Sequence, residues 1–111
     1  MKRVVIESPF AGDRERNVEY AKACLLDSLK RGEAPFASHL LYPYVLDDDN
    51  QEHRKLGMEA GFAWLSCALA SCVYTDLGIS PGMAKGVAIA EDYGVPVEYR
   101  TLGAPWSETD G

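Results

Sequence analysis

The sequence predicts an α/β domain built on a parallel sheet, and three observations predict it. Four short β-prone runs alternate with three longer segments of helical periodicity, in β-α-β-α-β-α-β order, the pattern of right-handed crossovers between parallel strands. The first run, Val4-Val5-Ile6, is β-branched throughout, as expected of a strand covered on both faces. The last helical segment is bracketed by Ser80-Pro81 in front and Gly94 behind, an N-cap with a first-turn proline and a stop.

Val4 to Ile6 run into Glu7-Ser8-Pro9-Phe10-Ala11-Gly12-Asp13, a loop rich in breakers. A helix is expected from about Arg14–Asn17, with Val18, Ala21, Leu25 and Leu29 on its apolar stripe and Gly32 just past its end. Glu33-Ala34-Pro35 is expected to turn the chain, and Phe36 to Tyr42 to form the second strand, ended by Pro43. Tyr44 to Gln51, with Asp47-Asp48-Asp49-Asn50, reads as a solvated loop long enough to rim the strand ends. It has no EF-hand register.

Glu52 to Leu69 is expected as the second helix. Leu56, Ala60, Ala63, Trp64 and Cys67 mark its apolar side, while Gly57 and Gly61 make one side small enough for close approach to a sheet or a partner helix. Phe62 and Trp64 fall on different faces, which predicts burial once in the core and once in a homodimer. Cys72 to Thr75 is the third strand, ended by Asp76. Gly78 and Gly82 loosen the loop that follows, and Met83, Val87 and Ala90 form the apolar face of the third helix. The fourth strand spans Val95 to Arg100. Residues 1–103 are expected as one domain and 104–111 as a polar tail, ordered only if Trp106 docks.

A chain of 111 residues suits one compact domain, and 47% hydrophobic with 25% charged residues is ordinary for a globular protein. The net charge of −6 argues against a nucleic-acid polymer as partner, but a small anion remains compatible, because one helix end can outweigh net charge locally. Cys24, Cys67 and Cys72 form no C-x-x-C pair and lie far from the two histidines. They therefore predict free thiols, with no metal or redox motif. Met1-Lys2-Arg3 leads straight into a strand, and no run approaches membrane-spanning length. The expectation is a cytoplasmic protein without a membrane partner. No G-x-G-x-x-G follows the first strand and no P-loop occurs, so no cofactor is expected.

The start of the third helix carries chemistry. Free N–H groups and the positive end of the dipole attract anions, phosphate above all. Ligands of open α/β sheets bind beyond the carboxyl ends of the strands, where Asp76 and Ser80 are expected to meet. The competing reading is that both only shape the turn and cap the helix. Glu7 reads equally as a functional acid or as a partner for Arg14. His39 sits in an apolar run, as a satisfied core histidine or a ligand contact. Arg14 and Arg16 are first-turn cations, where the dipole disfavours them, so phosphate binding is a competing use. Phe10 and Tyr42 suit base stacking or core packing.

Glu7-Ser8-Pro9-Phe10, the Arg14–Asn17 helix start, His39-Leu40-Leu41-Tyr42-Pro43 and Asp76-x-Gly-x-Ser80-x-Gly82-Met83 occur in order across residues 3–100. Together they resemble a group of small, mostly phage and bacterial domains of unknown function, which are similar to the nucleoside 2-deoxyribosyltransferase-like superfamily. The resemblance implies a flavodoxin-like three-layer sandwich with a mostly parallel sheet of four to five strands, assembled as a homodimer or higher homo-oligomer. It implies a nucleoside or nucleotide at the strand ends. Enzymes of that superfamily cleave or exchange the N-glycosidic bond, a glutamate attacking the sugar C1′ and an aspartate handling the base.

In that likeness Ser80 matches the serine that holds a 5′-phosphate, with Gly82 and Met83 in the same motif. Ser8, Pro9 and Phe10 match the segment around sugar and base, and Asp76 lies near the base-side acid. The nucleophilic glutamate would fall six residues after the serine, where this chain has Gly86. Asp76 and Glu7 are then the candidate catalytic carboxylates, ahead of Glu59 and Glu91. Ser8, Pro9, Phe10, Arg14, His39, Ser80, Gly82 and Met83 are the candidate substrate contacts. Two functions follow from the resemblance: an N-glycosidase or deoxyribosyltransferase acting on a (deoxy)nucleoside monophosphate, or a protein that sequesters such a nucleotide without cleaving it. A scaffold using the small-residue side of the second helix is the third.

Overall fold

The computed structural model describes residues 1–103 and 106; the remainder of the expected tail, 104–105 and 107–111, lies outside the described residues. Strands β1 (Lys2–Glu7), β2 (Glu33–Phe36), β3 (Ala70–Tyr74) and β4 (Val97–Arg100) form one sheet in the order β2-β1-β3-β4. All three pairings are parallel, with Lys2 opposite Glu33, Glu7 opposite Val73 and Tyr74 opposite Arg100. Helices α1 (Arg14–Lys30), α2 (Gln51–Ala63) and α3 (Pro81–Asp92) supply the crossovers. The expected α/β class and parallel sheet are both present.

Successive strand residues face opposite sides of a sheet, and here both sides are covered. Val4, Ile6, Cys72 and Tyr74 pack with Tyr20 and Cys24 of α1. Val5 packs with Leu65, with Ala90 of α3 and with Val95 on the other side. Double coverage is why Val4–Ile6 of β1 and Cys72–Tyr74 of β3 read as continuous apolar runs rather than alternating ones. Each helix starts on a side-chain cap: Asp13 accepts from the Arg16 N–H, Asn50 from Glu52 and His53, and Ser80 from Met83. Gly32 and Gly94 follow α1 and α3 at φ 82° and 71°, the left-handed geometry that lets a helix end without a Cβ clash.

The second crossover departs from expectation. β2 is Glu33–Phe36, not Phe36 to Tyr42, so it contains Pro35. β2 is an edge strand, and a proline there leaves no inner ladder bond unmade. The apolar run after it curls into two 3-10 turns, Ser38–Leu40 and Tyr42–Tyr44. Gly61 allows this: a Cβ there would lie 2.7 Å from Ser38 Oγ. Trp64 Nε1 donates to the Tyr42 hydroxyl (3.0 Å), and the Phe36 and Trp64 rings stack at 5.1 Å. α2 is also shorter than expected, ending at Ala63 and tightening into a 3-10 turn over Trp64–Cys67.

A buried ion pair ties the two edges of the sheet on the α1 side. Arg100 donates two 2.7 Å bonds to Glu33, one to each carboxylate oxygen. Ser28 donates a third bond to Glu33 at 2.8 Å, and Arg100 also reaches the Tyr74 hydroxyl at 3.1 Å. Trp106 docks edge-on against Tyr20, with ring centroids 4.9 Å apart. All three cysteines are free thiols. No helix among the described residues is long and apolar enough to cross a membrane.

Candidate functional site

From β1 the chain crosses to β2 on one side of the sheet, and later enters β3 on the other. The two crossovers part between β1 and β3, leaving a crevice at the carboxyl ends of these strands, the usual ligand position in such sheets. A cavity of about 280 Å³ occupies it, near the lower end of the ~300–1,000 Å³ range of small-molecule sites. Its floor is Glu7 and Ser8 at the end of β1. One wall is the start of α3, Ser80 to Met83, and the other is the α2 side that carries Gly57, Met58, Gly61 and Phe62. Phe10, His39 and Tyr42 close the top, and Asp48 and Arg54 stand among its lining.

Glu7 is the last residue of β1 and shares the sheet face of Val5, which places its side chain toward α3. Its carboxyl rests on the helix backbone at Gly86. A Cβ at position 86 would lie 2.5 Å from Glu7 Oε2 and 2.8 Å from Cδ and Oε1. Among the described residues no group hydrogen-bonds this carboxyl. Burial without a partner pushes its pKa up to about 8, so it holds a proton at neutral pH.

Beside it, Ser8 Oγ and His39 Nε2 lie 2.6 Å apart. Burial pulls the His39 imidazole down to about 4, which keeps it neutral at physiological pH. Glu7 and His39 are therefore both uncharged near pH 7. The loop that carries Phe10 is pinned from α1: Asn17 Nδ2 donates to the carbonyls of Phe10 and Ala11, each at 3.0 Å.

At the opposite wall Ser80 Oγ accepts from the Met83 N–H at 3.2 Å, so the serine does cap the helix, as its competing reading held. It lines the cavity as well. Gly82 leaves the first turn open; the nearest atom to a Cβ built there is Ser80 Oγ at 3.9 Å. The leading N–H groups of a helix have no intrahelical acceptor, and these face the crevice end of α3.

Of the expected site residues, the structure brings together Glu7, Ser8, Phe10, His39, Ser80, Gly82 and Met83 around this one cavity. Three stand apart. Pro9 is buried in the loop and is not on the cavity wall. Arg14 points outward, bonded to Asp48 at 2.8 Å and over the Phe10 ring at 5.5 Å, beside a second, shallower cleft. Asp76 does not meet Ser80 at the cavity. It lies on the α1 side, where the Tyr20 hydroxyl donates to it at 2.6 Å and the Leu102 N–H at 2.9 and 3.0 Å. Its own N–H donates to the Tyr20 oxygen at 2.9 Å. Those bonds spend the carboxylate on joining α1 to the segment after β4.

Sequence reasoning missed the α2 wall, Arg54, Met58 and Phe62, and missed Asp48. The Gly57/Gly61 spacing is the signal that marked this side of α2, although it read as a packing surface. Among the described residues no three or more His, Cys, Asp or Glu side chains gather to hold a metal.

Comparison with known proteins is consistent with this geometry. A family model described as a domain of unknown function, DUF7768, matches residues 2–100. No curated protein matches. A solved structure of a 2-deoxyribosyltransferase from the psychrotolerant bacterium Bacillus psychrosaccharolyticus superposes with a TM-score of 0.63 at 16% identity, covering 95% of this chain and 76% of that one. At that identity the likeness is one of fold.

Proposed function

The chain belongs to the DUF7768 family, and we propose that it cleaves or exchanges the N-glycosidic bond of a (deoxy)nucleoside monophosphate, with Glu7 as the attacking carboxylate. One observation carries this reading. A carboxyl with a raised pKa, without a partner among the described residues, stands on the floor of a ligand-sized cavity at the sheet's switch point, an arrangement concentrated at active sites. The fold shared with a 2-deoxyribosyltransferase supports the substrate class.

Ionised Glu7 attacks C1′ of the sugar. The N-glycosidic bond breaks, its electron pair goes to the base nitrogen, and that nitrogen takes up a proton from solvent. The glycosyl ester formed on Glu7 is then opened by water, which releases free sugar phosphate, or by a second base, which gives a new nucleotide. Phe10 and Tyr42 offer faces for the base. The neutral Ser8–His39 pair hydrogen-bonds sugar hydroxyls, and the first turn of α3 at Ser80 and Gly82 receives the phosphate. Asp76 has no part in this scheme.

The alternative, a nucleotide-sequestering protein, drew on the absence of an acid at position 86. Glu7 supplies a carboxyl to that same place, which favours catalysis. Incubation with a panel of deoxynucleoside monophosphates and nucleosides, followed by chromatography for free base, tests the proposal. Base release that is lost in Glu7→Gln is the expected result. A panel with no release, but with a nucleotide recovered intact from the protein, supports the sequestering reading instead. The homodimer implied by the resemblance is likewise a proposal, checked by sedimentation of the purified chain.

A further inference from the structure

We propose that Gly86 is a positioning residue: its missing side chain seats the Glu7 carboxyl against α3, so that the carboxyl of the site can be delivered from either backbone, the end of β1 or the middle of α3. The inference rests on the reading that a carboxyl at this place does the chemistry.

Helix geometry does not explain the glycine. Gly86 is within α3 and is not among the positive-φ glycines. In such a position glycine is destabilising by ~0.5–1 kcal/mol relative to alanine. What excludes a side chain is contact. All three of the nearest atoms to a Cβ at 86 belong to the Glu7 carboxyl, at 2.5 to 2.8 Å. The strand cannot retreat, because Ile6 and Glu7 are held in register with Cys72 and Val73. Any side chain at 86 must therefore expel the Glu7 head group from its seat.

The converse also follows. The Cβ of a residue at 86 would stand where the carboxyl now stands. An aspartate there carries its carboxyl one bond further, and a glutamate two, into the same few ångströms. A strand-borne acid with a glycine on the helix, and a helix-borne acid with a small residue on the strand, are two ways of filling one place.

The test uses Gly86→Ala, Glu7→Ala, and Glu7→Ala combined with Gly86→Asp or Gly86→Glu. Carboxyl titration by carbon-13 NMR is read beside base release, with circular dichroism as a check on folding. In the unaltered protein one carboxyl should titrate near 8, and Gly86→Ala should return it toward 4.5. At least one of the swapped pairs should regain a high-titrating carboxyl and release base at least tenfold faster than Glu7→Ala. Should Gly86→Ala fail to fold, adding Glu7→Ala removes the obstruction and restores folding. A folded Gly86→Ala protein whose carboxyl still titrates near 8, or swapped pairs that both titrate as ordinary surface acids, would overturn the proposal. Expected titrations without base release in any form would retain the positioning role and end the glycosidic one.

Discussion

Glu7 and Glu33 are acids at opposite ends of one sheet, and they have been treated in opposite ways. Glu33 opens β2 and is gripped by both terminal nitrogens of Arg100 and by Ser28, so its pKa is held down to about 2, chiefly by the Arg100 bonds. Glu7 closes β1 with no partner among the described residues, and burial lifts it to about 8. Burial alone therefore does not decide what a carboxylate is for. A paired acid is committed to holding two strands together. An unpaired one is an unmet cost that makes sense where a ligand will meet it.

The contrast can be broken from either side. Glu7→Gln should lower base release by at least ~10⁴-fold, more than about 5 kcal/mol of barrier, while the unfolding transition in urea stays in place or moves slightly upward. Arg100→Met should do the reverse. It strands Glu33 in the interior and should remove about 3–5 kcal/mol of stability, read from urea denaturation, because breaking a buried pair leaves an uncompensated charge.

The pH dependence of stability sharpens the same comparison. Between about 2 and 4.5 the unfolded chain binds a proton at Glu33 that the folded chain refuses, so stability rises with pH. Between 4.5 and 8 the folded chain keeps a proton on Glu7 that the unfolded chain has lost, so stability falls with pH and levels off above 8. His39 acts in the opposite sense from about 4 to 6.5, because only the unfolded imidazole charges there, and it offsets Glu7 over that window. A net decline of roughly 1–2 kcal/mol should then be confined to pH 6.5–8 and be absent in Glu7→Gln, as thermal unfolding at stepped pH will reveal. Under the proposed mechanism base release should rise over the same interval, since there the attacking form of Glu7 is the ionised one.

Two smaller effects complete the series. Ser8→Ala removes the 2.6 Å contact with His39 and should cost about 1 kcal/mol in denaturant unfolding. Arg14→Ala breaks a half-exposed pair with Asp48 and should cost under about 1 kcal/mol, less at high salt.

How far the sequence revealed this molecule depends on how local each feature is. The Ser80-Pro81 start of α3, its end at Gly94 and the Val4–Ile6 strand were legible because caps and β-branched runs act over a few residues. Pro35 misled because a proline is tolerated in a strand only at a sheet edge, and nothing near it says that β2 lies there. Asp76 was legible in retrospect: Cys72 and Tyr74 face Tyr20, and the same alternation carries Asp76 to that side. Ser8, Phe10 and the Ser80–Met83 turn were readable as neighbours at one end of the sheet, where they line a single cavity. The Glu7–Gly86 contact was not, since it joins two elements that meet only after the sheet is assembled. Its sole trace was a glycine with no local reason to be one.

The segment just past β4 is not an idle end. The Leu102 amide on Asp76 and the Trp106 ring on Tyr20 act as a clasp over the middle of α1. Cutting the chain after Arg100 would undo the clasp and bare an aromatic side chain that is otherwise fully covered. A chain cut after Arg100 should therefore show itself first as a sticky protein rather than as an inactive one.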